Sequence, residues 1–267
     1  MPRHDTISFL SDFGTDDEFV GVVKAVLRGL APHALVLDVT HGIPPFDVRA
    51  GGLALARAAQ YLPPGIILAV VDPGVGTDRR ALAAAARGQH FVGPDNGLLE
   101  WALGDAARRV HEIRERRYLR SSVSPTFHGR DVFGPVAAHL AAGVRIEQLG
   151  PAVHDPERLP PCAPRREGSD LVGQVMFFDR FGNALTNLTW RVLESAFPGV
   201  PEGRFEVRVA GRTLRGLTRT YGHSAPGTLV ALMGSSGRLE IAQVGGDAAA
   251  RLGLGAGDAV RVTATEA

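Results

Sequence analysis

Three kinds of side chain in this sequence could do chemistry on a small molecule: carboxylates that follow apolar runs, arginines close behind one of them, and a histidine in a glycine-flanked loop. The stretch Val70-Val71-Asp72-Pro73-Gly74-Val75-Gly76-Thr77-Asp78-Arg79-Arg80 places a carboxylate at the end of an apolar run, then a Pro-Gly turn, then two guanidinium groups. Its glycines let another group approach the backbone closely. The same spacing also suits an Asx-type turn with a surface ion pair. Asp12, in Ser11-Asp12-Phe13-Gly14, ends another apolar run. A carboxylate there can accept two hydrogen bonds from a vicinal diol such as a ribose. Asp16 and Asp17 are the better caps for the helix that follows, which leaves Asp12 needing another task. His128 stands between Phe127 and Gly129 in a loop ahead of a helix. Near residue 180, Asp179-Arg180-Phe181-Gly182-Asn183 combines a turn with an amide whose donor and acceptor suit a purine edge. Ser235 and Ser236, between Gly234 and Gly237, set hydroxyls and backbone N–H groups where they could hold a carboxylate. For each of these, a plain turn is the alternative.

The elements that must position these residues follow from the hydrophobic pattern. Ile7–Leu10, Leu35–Val39 and Ile66–Val71 read as buried strands, and Glu18–Leu30 and Val48–Tyr61 carry apolar residues at helical spacing. This alternation predicts an α/β layer fold with a mainly parallel central sheet, in which ligands bind beyond the carboxyl ends of strands. The loops after Ser11 and Val71 are therefore the first places to look. A helix is expected from Leu98, after the Gly93–Gly97 loop, and another over Val132–Ala142 with Asp131 as its N-cap. Proline and charge then replace the apolar pattern, in Pro160-Pro161-Cys162-Ala163-Pro164-Arg165-Arg166-Glu167. We expect an N-terminal α/β domain over 1–152, a linker over 153–168 and a smaller antiparallel β domain, sheet or barrel, over 169–267. Its strands are expected at Leu171–Phe178, Phe205–Val209, Leu229–Met233, Leu239–Ala242 and Val260–Thr265.

Composition excludes several function classes. A formal net charge of +1 lacks the basic footprint that a nucleic-acid binder needs. No apolar stretch reaches the length of a membrane span, so we expect a cytoplasmic protein. The single cysteine, Cys162, cannot form an internal disulfide. The nine histidines show no metal-ligand spacing, which disfavours a metal. No Gly-x-Gly-x-x-Gly follows the first strand, no phosphate loop ending in Gly-Lys exists, and no Gly-x-Ser-x-Gly elbow appears, so dinucleotide oxidoreductases, P-loop enzymes and common esterases are set aside.

Taken in order, Ser11-Asp12-Phe13-Gly14, Val71-Asp72-Pro73-Gly74-Val75-Gly76-Thr77 with Arg79, Gly93-Pro94-Asp95-Asn96-Gly97, Phe127-His128-Gly129-Arg130-Asp131, Asp179 with Phe181-Gly182-Asn183, and Ser235-Ser236-Gly237 resemble one family over nearly the whole chain. It is the S-adenosyl-L-methionine hydroxide adenosyltransferases, relatives of the fluorinase and chlorinase. The resemblance implies that water, as hydroxide, attacks ribose C5′ of S-adenosylmethionine and displaces L-methionine, leaving adenosine. It implies Asp72, Arg79 and His128 as the water-activating set, with Arg80 as the alternative to Arg79. It also implies Asp12 at the ribose diol, Asn183 at the adenine, and Asp179, Ser235 and Ser236 at the methionine amino and carboxylate ends. A homotrimer with its sites at subunit interfaces is implied too, with no metal and no cofactor beyond the substrate. The competing readings are a halogenase acting on the same substrate, a non-catalytic S-adenosylmethionine or nucleoside binder, and a metal-dependent hydrolase that uses Asp12, Asp72 and His128 as ligands.

Overall fold

A computed structural model of the protein describes residues 3–104, 108–160 and 162–265. The chain divides into two compact units, Met1–Pro160 and Pro161–Ala267. Pro161, in the expected linker, lies outside the described residues.

The first unit runs β1 (Thr6–Ser11), α1 (Phe19–Leu30), β2 (Leu35–Thr40), α2 (Val48–Ala59), β3 (Ile66–Val70), β4 (Ala81–Ala86), β5 (Gln89–Pro94), α3 (Glu100–Leu103), β6 (Arg109–Glu112) and α4 (Gly134–Ala141). Its sheet has the order β2-β1-β3-β5-β4-β6. The pairs β1/β2, β1/β3 and β3/β5 are parallel, whereas β4 is antiparallel to both of its neighbours. Helices cover both faces. Ile66, Leu68 and Val70 of β3 join one apolar cluster with Val23, Leu27, Phe133 and Leu140, while Ile67, Ala69 and Val71 join another with Leu55, Leu98 and Leu99. Burial on both faces is why β3 reads as an unbroken apolar run rather than an alternation.

Strand β2 departs from the expected burial. It is an edge strand, and Leu35 and Asp38 lie exposed. Helix α1 starts with Glu18 at its N-cap and no side-chain cap, so neither Asp16 nor Asp17 caps it. Asp131 is not an N-cap either. It sits inside a turn of π-helix, Gly129–Phe133, that runs directly into α4, whose own N-cap is Phe133. The Asp131 carboxylate points inward instead and is fully buried. It accepts both arms of the Arg130 guanidinium at 2.7 Å and the Ser124 N–H at 2.9 Å, which fixes the loop around His128.

Order along the chain and order in the sheet together place the site. From β1 the chain crosses to β2 on one side, then returns to β3 on the other, so the strand order reverses between β1 and β3. Open α/β sheets form a ligand crevice at such a reversal. Ser11 pairs with Val70 across these two strands, so the loops bearing Asp12 and Asp72 leave the sheet side by side.

The second unit contains β7 (Arg165–Glu167), β8 (Asp170–Phe178), β9 (Ala184–Thr189), α5 (Trp190–Ala196), β10 (Phe205–Val209), β11 (Arg212–Arg215), β12 (Leu229–Met233), β13 (Arg238–Gln243), α6 (Ala248–Leu252) and β14 (Ala259–Ala264). The strands run in the order β11-β10-β14-β8-β9-β13-β12, every pair antiparallel, and β7 pairs with β8. Arg165–Glu167, expected as linker, is thus part of a hairpin. Leu171, Val175, Leu188, Phe205, Ile241 and Val262 form the core of this unit.

Candidate active site

Arg79 is the centre of the site in the first unit. Its Nε donates to Asp72 Oδ1 at 2.7 Å and one terminal nitrogen donates to Asp72 Oδ2 at 2.5 Å, a two-pronged pairing of planar groups. The same terminal nitrogen lies 2.9 Å from His128 Nδ1. A guanidinium can only donate, so Nδ1 is the acceptor and the neutral ring carries its proton on Nε2. The Arg79 guanidinium also lies over the Phe133 ring, 5.0 Å from its centre. Both side chains of the ion pair are almost buried. Arg80, adjacent in sequence, turns away to Asp95 at 2.6 Å and Asp155 at 2.8 Å. Of the two arginines, only Arg79 joins Asp72 to His128.

Backbone geometry makes this meeting possible. Gly76 has φ +77°, and a Cβ built there would lie 2.3 Å from the Pro125 carbonyl oxygen. The 72–79 loop can press against the 124–128 loop only because residue 76 has no side chain. The π-helical turn that follows His128 is a form often found at functional sites.

An open cavity in the same unit is lined by Asp12, Phe13, Phe19, Phe46, Asp72, Thr126, Phe127 and His128 among others. Its wall is aromatic: Phe13, Phe19 and Phe127 meet one another edge to face, with ring centres 5.2–6.3 Å apart. Phe46 is largely exposed and has φ +67°, a backbone conformation that costs a bulky residue energy. Its N–H donates to Asp12 Oδ2 at 2.8 Å. Burial pushes the Asp12 carboxyl above its ordinary range and the negative charge of Asp72 adds to this, while the Phe46 N–H opposes it. For His128, burial and then the Arg79 charge lower the pKa, against smaller opposing effects of Asp72 and Asp131. The ring is therefore neutral near pH 7, as its bond from Arg79 requires.

In the second unit Asp179 and Asn183 hold each other. Asp179 Oδ1 accepts the N–H groups of Phe181 and Asn183, each at 2.9 Å, and its Oδ2 accepts the Asn183 amide at 2.8 Å. Ser235 is exposed on the turn between β12 and β13, whereas the Ser236 hydroxyl is buried with no hydrogen-bond partner among the described residues. An orphaned buried hydroxyl is unfavourable unless something else bonds it. The sequence pattern did not single out Tyr221 and Glu240. The Tyr221 hydroxyl donates to the buried Glu240 carboxylate at 2.9 Å. Burial, followed by that bond and the charges of Glu240 and Asp179, pushes the Tyr221 pKa up to about 12. Alternation along β13 would have flagged Glu240 as a carboxylate on an apolar strand. Nothing local marks Phe46, whose importance depends on the 34-residue separation from Asp12 being closed by the fold.

Among the described residues, no group of three or more His, Cys, Asp or Glu side chains is placed to hold a metal ion. No helix among them is long and apolar enough to cross a membrane.

A cavity at the strand-order reversal, lined by two carboxylates, an imidazole and an aromatic wall, beside an arginine that bridges carboxylate to imidazole, marks an α/β unit with a candidate small-molecule site, followed in the chain by a β unit. The chain belongs to the SAM hydroxide adenosyltransferase family: the family's N-terminal domain matches residues 7–150 and its C-terminal domain residues 173–261. It is 45% identical to an (R)-S-adenosyl-L-methionine hydrolase from Salinispora tropica, over 97% of both chains. It is 46% identical to one of the same name from Thermus thermophilus, over 96% of this chain and 98% of the relative. A fluorinase from Nocardia brasiliensis is more distant, at 29% over 97% of both chains. A crystal structure of an uncharacterized conserved protein from Thermotoga maritima superposes with a TM-score of 0.87 at 35% identity, covering 96% of this chain and 99% of that one.

Proposed function

We propose that this protein hydrolyses S-adenosyl-L-methionine at ribose C5′, giving adenosine and L-methionine. The observation that carries the reading is the Asp72–Arg79–His128 constellation, of which Asp72 and His128 line a cavity together with Asp12 and four phenylalanines.

The leaving group is already activated, because the sulfonium takes up the C5′–S electron pair and departs as a neutral thioether. The difficulty lies in the nucleophile, since water is weak and hydroxide scarce near neutral pH. A site for this reaction must hold a water in line with the C5′–S bond, stabilise developing hydroxide and receive a proton. His128 offers its Nε2–H as a donor to the water oxygen. Arg79 adds positive charge beside it. The Asp72 oxygens keep free lone pairs after receiving Arg79, so Asp72 is the acceptor for the water proton as the O–C5′ bond forms. This division of labour sharpens an assignment that residue types alone leave open.

In the same reading Asp12 holds the ribose diol, Asn183 the adenine, and Asp179, Ser235 and Ser236 the ends of the methionine moiety. The unpartnered Ser236 hydroxyl supports the last of these. We further propose a cytoplasmic homotrimer that needs neither metal nor organic cofactor. Light scattering of the purified protein tests the trimer, and turnover before and after dialysis against EDTA tests the metal.

A halide nucleophile is disfavoured because it would lie beside the Asp72 carboxylate as one anion against another, whereas water brings a proton that the carboxylate can accept. Incubation with S-adenosylmethionine in the presence of chloride and of fluoride, followed by chromatography, decides the matter. Adenosine and methionine in equal amounts are expected. A 5′-halo-5′-deoxyadenosine would sink the water reading, and tight binding without products would mark a non-catalytic binder.

A further inference from the structure

Next to the loop that carries Asp12 runs a chain of hydrogen bonds, buried at Ser11 and His41 and exposed at Asp38 and Lys24, that touches no part of the proposed reaction. Ser11 Oγ lies 2.7 Å from His41 Nδ1, His41 Nε2 lies 3.2 Å from Asp38 Oδ1, and Lys24 Nζ donates to Asp38 Oδ2 at 2.9 Å. Ser11 is fully buried and His41 nearly so. The directions are fixed by chemistry. A lysine ammonium only donates and an ionised carboxylate only accepts, so the His41 proton is on Nε2. In the neutral ring Nδ1 then accepts from the Ser11 hydroxyl, whose oxygen in turn receives the Phe13 N–H at 3.3 Å. The His41 carbonyl accepts the Gly14 N–H at 2.8 Å. The order Ser-His-Asp is that of a hydrolase triad, but Ser11 is sealed from solvent and its oxygen is occupied, so it is no nucleophile.

The chain has a different geometric effect. His41 grips the segment Ser11–Gly14 through Ser11 on one side of Asp12 and through Gly14 on the other. The Phe46 N–H, from the same β2–α2 connection, grips the Asp12 carboxylate itself. The sheet register supports this clamp, since Leu10 pairs with Thr40 and so sets the two strand ends next to each other. The His41 ring also packs edge to face on Phe9, with centres 4.6 Å apart, which limits its freedom to swing away. A core residue could fill this volume with apolar atoms, whereas a fully satisfied polar network specifies one arrangement.

We propose that His41 is a positioning residue that holds Asp12 in the orientation needed for the ribose diol, with Ser11 as the link and Asp38 and Lys24 fixing the ring. The inference rests on Asp12 holding the ribose. His41 touches no substrate, and its effect passes through the loop.

The test is a cycle of variants with S-adenosylmethionine as substrate. H41F keeps a ring against Phe9 and removes both side-chain bonds; its KM rises about tenfold, the scale set by one lost hydrogen bond to a charged or buried group, while kcat changes less than threefold. H41N, whose amide oxygen can replace Nδ1 as acceptor for Ser11, recovers most of the KM. D12A combined with H41F has the same KM as D12A alone, because the loop no longer has a carboxylate to position. If H41F does not fold, S11A cuts the same link and is expected to raise KM severalfold. An unchanged KM in H41F or S11A alongside a lowered melting temperature would make the network purely structural, and so would additive KM effects with D12A. Either overturns this inference while leaving the hydrolase reading intact. A wild-type protein that forms no adenosine overturns both.

Discussion

Replacing Arg79 with lysine retains the charge and removes the fork. Arg79 makes three side-chain bonds in the site, two to Asp72 and one to His128. An ammonium on a flexible stem can keep one of these, and it cannot lie flat over Phe133 as the guanidinium does. Two charge-assisted bonds are lost, at about 1.5–3 kcal/mol each, or about 3–6 kcal/mol of organising energy. Only the part realised on the developing hydroxide appears in the rate, and removal of one preorganised donor elsewhere costs about 10²–10³ in kcat. R79K is therefore expected to lower kcat for methionine release by about 10²–10³ with KM little changed, since Arg79 is not assigned to ground-state binding. R80K is the internal control. It weakens ties to Asp95 and Asp155 but sits outside the constellation, so kcat stays within about threefold of wild type. Initial rates of methionine formation from S-adenosylmethionine, followed by chromatography at saturating substrate, provide the measurement. R79K within fivefold of wild type, or R80K falling as far as R79K, would refute the assignment.

Three further outcomes follow from the same geometry. G76A forces a Cβ into the Pro125 carbonyl at a φ of +77°, so it should lower stability by about 1–3 kcal/mol and kcat together, read by urea unfolding and steady-state rates. D131N breaks a fully buried carboxylate pairing with Arg130, and because that arginine is partly exposed the cost should fall near the lower limit for such pairs, about 3 kcal/mol in chemical denaturation. The pH dependence follows from His4, His90, His128 and His139, all held below the ordinary histidine pKa of 6.5 by burial first of all. The unfolded chain takes up these protons at a higher pH than the folded one, so stability is full above 6.5 and falls as pH drops below it. Activity should hold through pH 6.5 and decline only below, where protonated His128 can no longer accept from Arg79. A melting temperature flat from pH 7 to 5, or an acid limb above 6.5, would contradict this.

Much of the candidate site is legible in the sequence because its residues sit where the pattern changes. Asp12 and Asp72 each follow an apolar run, and in a parallel sheet that position alone points toward a ligand. Their proximity was not legible, since it depends on β1 and β3 being neighbours across the reversal point. Arg79 and Arg80 could not be separated in sequence, because adjacent residues of a loop diverge according to partners that are distant in the chain. Asp131 looked like a helix cap because Asp before an apolar helix usually is one. The π-helical turn carries the helical path back past it and rotates its side chain into the interior. Strand β4, Ala-Leu-Ala-Ala-Ala-Ala, has the local preference of a helix. It is a strand because β5 and β6 bond to it on both sides and small side chains fit between the layers, a tertiary effect that propensity does not contain. The His41 network is not legible in the sequence for a related reason: Ser11 and His41 are 30 residues apart and meet only through the parallel pairing of β1 with β2.

The central claim is that water attacks C5′ of S-adenosylmethionine at the Asp72–Arg79–His128 site, and the most direct test is the fate of solvent oxygen. Turnover in water enriched in oxygen-18, with mass spectrometry of both products, should place one labelled oxygen on the 5′-hydroxyl of adenosine and none in methionine. Unlabelled adenosine, or label in methionine or a homoserine product, would contradict the account.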